Sequence, residues 1–120
     1  MLRQPLVKAQ QTILTLVAAR YVQVYLVGGT AISLRYRHRV SEDLDFFTQQ
    51  YTRALHREMA AFIRRKTGYA STLVQEETRR RYIPMAVYEF EISRDAVLKI
   101  DIVSDVAPLL QPRGKDGIAS

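Results

Sequence analysis

Two aspartates that alternate with apolar residues, in the stretch DLDFF, constrain the fold of this chain more than any other feature. Successive side chains of a β-strand point to opposite faces, so Asp43 and Asp45 share one face while Leu44 and Phe46 share the other. A carboxylate inside an apolar strand is costly unless another group pairs with it. The stretch therefore predicts a strand that buries one face in a core and turns an acidic face toward a cleft or solvent.

A third carboxylate lies in a second alternating stretch, LKIDIV. Ile100 and Ile102 flank Asp101, so the isoleucines can face the core while the carboxylate points the opposite way. If this strand lies beside the DLDFF strand, the three aspartates converge on one face. Asp105 is the competing candidate, but it lies in the exit region of the chain and lacks the apolar neighbours.

Three converging carboxylates favour a metal site over an ordinary surface. Like charges at close range repel each other, and a divalent cation relieves that repulsion. Carboxylate oxygens are hard ligands that suit Mg²⁺ or Mn²⁺ rather than zinc, and three carboxylates can hold two metal ions for an in-line displacement at phosphorus. The alternative is a solvated sheet face, or a pair of aspartates that nearby arginines neutralise.

A pair of glycines ends the apolar run VQVYLV, and a helical pattern starts directly after them. Gly28 and Gly29 would leave bare backbone N–H groups at a helix N-terminus, where the helix dipole favours an anion such as phosphate. The hydroxyls of Thr30 and Ser33 would add donors. The alternative is an ordinary tight turn in which Thr30 caps the helix.

Hydrophobic periodicity predicts a mixed α/β fold of the α+β class. Helices and strands alternate in the first half of the chain, and a hairpin whose arms flank the turn SRDA follows in the second half. This order predicts a mixed sheet flanked by helices. The predicted helices span residues 5–20, 30–37 and 52–66, with Gly68 as the stop of the last one, and the predicted strands span residues 22–29, 43–48, 70–77, 84–92 and 97–103.

Length, charge and composition narrow the class of protein further. With 120 residues the chain is long enough for one small core, so residues 1–120 are predicted to form a single domain. The absence of cysteine excludes disulfides and thiolate metal sites, and it fits a reducing cytoplasm. The longest apolar runs are too short to span a bilayer, so no membrane role is expected. The net charge of +6 favours a nucleic-acid or polyphosphate partner.

Three elements follow one another in a set order: apolar-Gly-Gly, then Asp-Leu-Asp-Phe after a spacer, then Ile-Asp-Ile. This order resembles the signature of the DNA polymerase β-like nucleotidyltransferase superfamily. The stretch GGTAISLRYRHRVSEDLDFF is similar to the AbiEii/AbiGii toxin branch, whose members commonly read Gly-Gly-Thr-Ala-Leu and then His-Arg-x-Ser-x-Asp-Leu-Asp-Phe-Phe. The resemblance implies a nucleotidyltransferase (polymerase β-like) fold.

The resemblance also implies a role for each matching residue. Asp43, Asp45 and Asp101 would bind Mg²⁺ or Mn²⁺ and form the catalytic site, and Asp101 would help to activate the attacking hydroxyl. For Arg39 the alternatives are a phosphate contact and an orienting contact to the loop before Asp43. The residues implied to hold the phosphates of a nucleoside triphosphate are Gly28, Gly29, Thr30, Ser33 and Arg39.

The implied reaction transfers a nucleoside monophosphate from a nucleoside triphosphate (NTP) to an acceptor and releases pyrophosphate. The family setting implies a toxin–antitoxin or phage-defence system, with RNA, such as a tRNA end, as the acceptor. The alternative is a non-catalytic module that keeps the fold and binds nucleotide, nucleic acid or a protein partner. The intact motif aspartates favour the enzyme, and the missing helical half favours the non-catalytic module.

The sequence departs from this branch beyond its final stretch, GIAS. Branch members usually continue into a helical half that carries a further lysine, so the chain is interpreted as a minimal catalytic domain without that half, weakly active or inactive by itself. Apolar surface that such a half would cover predicts a homodimer or another partner chain. Met85, Val87, Tyr88 and the segment APLL at 107–110 are candidates for that surface. The branch also implies an antitoxin as a partner.

Overall fold

The computed structural model describes residues 3–26 and 40–105 of the chain. Two helices and five strands lie in these residues, and of the described helices neither is long and apolar enough to cross a membrane. In chain order the elements are α1 (Arg3–Arg20), β1 (Val24–Leu26), β2 (Val40–Thr48), α2 (Arg53–Thr67), β3 (Ala70–Glu77), β4 (Met85–Ser93) and β5 (Ala96–Ser104).

The five strands form one mixed sheet in the order β1-β2-β5-β4-β3. β2 and β5 run parallel, and every other neighbouring pair is antiparallel. β4 and β5 form the predicted hairpin, and β5 lies between its hairpin partner and β2. The prediction of an α+β fold with a mixed sheet and flanking helices is therefore confirmed, and the two aspartate-bearing strands are direct neighbours.

A single hydrophobic cluster joins the helices to one face of the sheet. α1 contributes Leu6, Ile13 and Val17, which recur at helical spacing and are almost completely buried. Leu44 and Phe46 of β2 belong to the same cluster, as the alternation in DLDFF predicts. Burial contributes about 1.5–3 kcal/mol for each side chain of this size. The core therefore holds α1 against β2 and leaves the opposite face of β2 to the aspartates.

Local chemistry sets both ends of α2. The Thr52 hydroxyl accepts a hydrogen bond from the backbone N–H of Leu55 at 2.9 Å, which satisfies a donor that the first turn leaves free. Gly68 ends the helix in the left-handed conformation, with φ of 83°, and its N–H donates to the carbonyl of Arg64 at 2.8 Å. The predicted helix over 52–66 and its glycine stop are confirmed, with each end displaced by a single residue.

Part of the predicted architecture falls outside the described residues. β1 begins at Val24, later than predicted, because Val22 and Gln23 form the turn that follows α1. β1 is described as far as Leu26, so the rest of the strand predicted over 22–29 lies beyond it. The helix predicted over 30–37 also lies outside the described residues.

The predicted apolar patch at the start of β4 is wrong for two of its three residues. Val87 and Tyr88 are each only 4% exposed, and Met85 is half-buried. Tyr88 lies in the core beside His56 of α2, whereas Val87 pairs with Asp101 on the opposite face of the sheet. Val87 and Tyr88 are therefore buried within a single copy of the chain and do not belong to an exposed patch, and the segment APLL lies outside the described residues.

Candidate functional site

Asp45 and Asp101 are direct partners in the parallel ladder between β2 and β5. Partners in neighbouring strands point to the same face of a sheet, so the two carboxylates lie side by side. Their chain neighbours point the other way: Phe46 of β2 and Ile100 of β5 are both in the hydrophobic core. Alternation in two strands and one ladder contact thus bring together two of the three predicted aspartates.

Asp43 lies on the same face, two residues before Asp45, and its partner in β5 is Lys99. Lys99 was not among the residues singled out from the sequence. Its ammonium Nζ lies 3.7 Å from Oδ1 of Asp101, which is an ion pair but too long for a hydrogen bond. The signal that could have found it is the alternation in LKIDIV, which places Lys99 on the face of Asp101.

The side chain of α1 that reaches this part of β2 is Gln10. Its amide Nε2 donates to the backbone carbonyl of Asp43, with a long donor–acceptor distance of 3.4 Å. Gln10 is itself buried on the core side of β2. The contact links the helix layer to the strand position that carries the first aspartate.

Burial gives Asp101 an unusual electrostatic environment. Its side chain is 16% exposed, whereas Asp43 and Asp45 are exposed. Desolvation by this burial raises the pKa of Asp101 to about 6, the charges of Asp45 and Asp43 push the pKa in the same direction, and Lys99 opposes them. Among the described residues, no hydrogen-bond donor reaches Oδ1 of Asp101, although this atom is buried. A cation at this oxygen would offset part of the cost of its ionisation.

The described residues do not form a ready-made metal cage: no three carboxylate or imidazole side chains among them are placed to share one ion. The ammonium of Lys99 lies 3.7 Å from Oδ1 of Asp101, on the same face of the sheet. The donor set still fits a hard cation, since it contains only carboxylate oxygens. Mg²⁺ commonly binds through one or two carboxylates together with substrate phosphates and water. Asp45 and Asp101 match that requirement.

Asp105, the competing candidate, has a different environment. It is buried, and the hydroxyl of Tyr25 donates a hydrogen bond to its carboxylate. Its backbone N–H donates to the carbonyl of Thr48 at 2.8 Å. These contacts connect the end of β5 to β1 and β2. Asp105 therefore has a structural role.

The predicted phosphate-binding residues Gly28, Gly29, Thr30, Ser33 and Arg39 all lie outside the described residues. The strands that border their segment are described. Leu26, the last residue of β1, pairs with Phe46, which directly follows Asp45. The described part of β1 therefore ends beside the aspartate pair, and the glycines follow it in the sequence.

Comparison with known proteins gives a family for this arrangement. A family model described as nucleotidyl transferase AbiEii toxin, type IV TA system, matches residues 18–115. The match covers more than half of the chain and includes the glycine segment and all three aspartates. No curated protein and no solved structure matches the chain. The order of motifs, the mixed sheet and this match agree, and the chain belongs to the AbiEii nucleotidyl transferase toxin family of type IV toxin–antitoxin systems.

Proposed function

We propose that the chain is a metal-dependent nucleotidyltransferase that transfers a nucleoside monophosphate from an NTP to a hydroxyl of RNA, such as a tRNA end. The observation that carries the proposal is the side-by-side placement of Asp45 and Asp101 on the face opposite the core. The largely buried carboxylate of Asp101, next to a second carboxylate, is costly for stability, which favours a function that uses the charge.

Asp43, Asp45 and Asp101 would hold Mg²⁺ or Mn²⁺, with the carboxylate oxygens as ligands. When bound, the metal would neutralise charge that develops on the transferred phosphate and lower the pKa of the acceptor hydroxyl. The support is chemical: the donor set is all oxygen, and a buried oxygen of Asp101 has no hydrogen-bond donor among the described residues.

In the proposed reaction the acceptor oxygen forms a bond to the α-phosphorus, and the bond from that phosphorus to the bridging oxygen breaks. Pyrophosphate leaves with the electron pair of that bond. Asp101 is suited to accept the proton of the acceptor hydroxyl, because a carboxyl whose pKa is about 6 is mostly ionised at pH 7 yet remains a usable base.

The triphosphate would be held by the glycine segment. Backbone N–H groups of Gly28 and Gly29, the hydroxyls of Thr30 and Ser33 and the guanidinium of Arg39 are the proposed donors. The pairing of Leu26, two residues before Gly28, with Phe46 next to Asp45 supports the assignment, since one triphosphate has to reach both the donors and the metal-binding face.

The positive charge of the chain supports RNA as the acceptor. α2 carries five basic residues and a single acidic one, and the chain as a whole has a net charge of +6. Such a surface attracts a polyanion through its phosphates. The family setting adds an antitoxin as the proposed protein partner and a place in the cytoplasm, where RNA and NTPs are available.

The test is a labelling reaction with purified protein, total RNA and each of the four α-³²P-labelled ribonucleoside triphosphates, with Mg²⁺ or with EDTA. We expect weak, Mg²⁺-dependent label on RNA from the wild type and an equal amount from Asp95→Asn, which changes an exposed carboxylate in the β4–β5 turn. Asp45→Asn should lower labelling by about a hundredfold or more, because it removes a metal ligand. Equal labelling by Asp45→Asn and wild type, or labelling that persists in EDTA, would contradict the proposal.

A further inference from the structure

Lys99 has an exceptional position in the sheet. It is the only lysine or arginine in the five described strands. Its register partners are Asp43 on β2 and Glu89 on β4, and Asp101 is two residues further along its own strand. A single ammonium therefore lies among carboxylates on both sides and along its own strand.

The contact between Lys99 and Asp101 balances charge without locking the two side chains together. The ammonium lies 3.7 Å from Oδ1 of Asp101, beyond hydrogen-bond distance, and the lysine side chain is 41% exposed while that of Asp101 is 16% exposed. A flexible lysine in such a position leaves its carboxylate at little cost when a stronger cation arrives.

We propose that Lys99 is the built-in counter-ion of the carboxylate face: it stabilises Asp43 and Asp101 when no divalent ion is bound, and it competes with a divalent ion for them. The second half of this inference rests on the proposed function, because that function supplies the divalent ion. Lys99 would be a positioning residue. By competing for Asp101, it keeps the metal affinity of the substrate-free site low, so the ion binds best together with the triphosphate.

Competition between Lys99 and a divalent ion is tested by titration with Mn²⁺ alone at pH 7.5. Calorimetry and the electron paramagnetic resonance signal of free Mn²⁺ measure the binding. The proteins compared are the wild type, Lys99→Met, Lys99→Arg and Lys66→Met. Lys99→Met should bind Mn²⁺ about fivefold more tightly, because it removes a positive charge close to the ion. Lys99→Arg keeps that charge and should stay close to wild type. Lys66→Met removes an exposed charge from α2, in the helix layer, and should also stay close to wild type.

The counter-ion role is tested without metal, by urea unfolding in EDTA at pH 7.5 of a double-mutant cycle between Lys99→Met and Asp101→Asn. Lys99→Met should raise the equilibrium constant for unfolding about fivefold when Asp101 is present and leave it almost unchanged in the Asp101→Asn background. A merely solvated lysine would show no such coupling.

The two readouts separate this inference from the proposed function. Mn²⁺ affinity that is unchanged or weaker in Lys99→Met would overturn it, and so would an absence of coupling in the unfolding cycle. Failure of both the wild type and Lys99→Met to bind Mn²⁺, even with an NTP present, would contradict the proposed function instead, and the coupling in EDTA would then decide the role of Lys99 on its own.

Discussion

Asp45 of β2 lies directly beside Asp101 of β5, although α2, β3 and β4 separate them along the chain. The parallel pairing of the two strands places both carboxylates on the face of the sheet opposite the core. The strand that carries each aspartate sets the direction of its side chain. The two aspartates are close together because β5 lies between β2 and β4 in the sheet. The candidate site is therefore a product of the sheet order rather than of any local motif.

The first prediction is that Asp101→Asn stabilises the metal-free protein near neutral pH. The pKa of Asp101 is about 6 in the folded chain, whereas the ordinary pKa of an aspartate is 3.8, so between these values the folded state binds more protons than the unfolded state. The free energy of unfolding contributed by this group therefore falls as the pH rises from about 4 to about 6. Removal of the ionisable group should add up to about 3 kcal/mol at pH 7.5, and the gain should disappear below pH 4.

Urea unfolding in EDTA at pH 3.5 and at pH 7.5 measures this effect. Asp95→Asn is the matched control, since it makes the same chemical change at an exposed turn and should stay within about 0.5 kcal/mol of wild type. A lower stability of Asp101→Asn than of wild type at pH 7.5 would show that ionised Asp101 is favourably placed without a metal, contrary to this account.

The second prediction concerns the buried imidazole that links α2 to the sheet. His56 is fully buried, its Nδ1 is joined to the hydroxyl of Tyr88 at 2.8 Å, and its Nε2 is joined to the carboxylate of Glu76 at 2.8 Å. Tyr88→Phe keeps the ring in the core but leaves one imidazole nitrogen without its partner, so it should cost about 1–3 kcal/mol.

Tyr82→Phe is the control for this substitution, because Tyr82 is exposed and the guanidinium of Arg79 lies over its ring, which phenylalanine retains. It should change the free energy of unfolding by less than about 0.5 kcal/mol. Equal effects of the two tyrosine substitutions in urea unfolding would mean that the hydrogen bond to His56 contributes nothing.

The third prediction concerns the end of α2. Gly68 has φ of 83°, and a Cβ added there would meet no atom within 4 Å, so a substitution is penalised by backbone conformation and not by a clash. Gly68→Ala should lower the free energy of unfolding by about 1 kcal/mol. Gly68→Asn should lower it less, because asparagine tolerates the left-handed region better than alanine. The reverse order in thermal or urea unfolding would contradict this explanation.

Sequence patterns predicted the individual elements well where the signal is local. The strand over 70–77 has the bounds predicted for it, and the caps at Thr52 and Gly68 explain why α2 was found within a residue. Alternation also predicted which face of β2 and β5 is buried. These features depend on neighbouring residues, which a sequence displays directly.

Contacts between distant parts of the chain were harder to predict from the sequence. Alternation places Lys99 and Asp101 on one face of β5, but only the pairing of β2 with β5 shows that Asp43 lies next to Lys99 on that face. Tyr88 was considered for an exposed apolar patch, and it is buried because α2 covers it with His56. The environment of a side chain depends on which element packs over it, and periodicity alone does not contain that information.

The most direct test of nucleotidyl transfer at this face is a pair of reactions with RNA, Mg²⁺ and the same NTP. In one reaction the NTP carries ³²P at the α-phosphate, and in the other it carries ³²P at the γ-phosphate. If the protein transfers a nucleoside monophosphate, the α-label should appear on RNA and the γ-label should appear only in pyrophosphate. Asp45→Asn should form neither labelled product, whereas Asp95→Asn should form both. Transfer of the γ-label to RNA would identify a phosphoryl transfer instead, and α-label transfer undiminished in Asp45→Asn would show that the aspartate face does not carry the reaction.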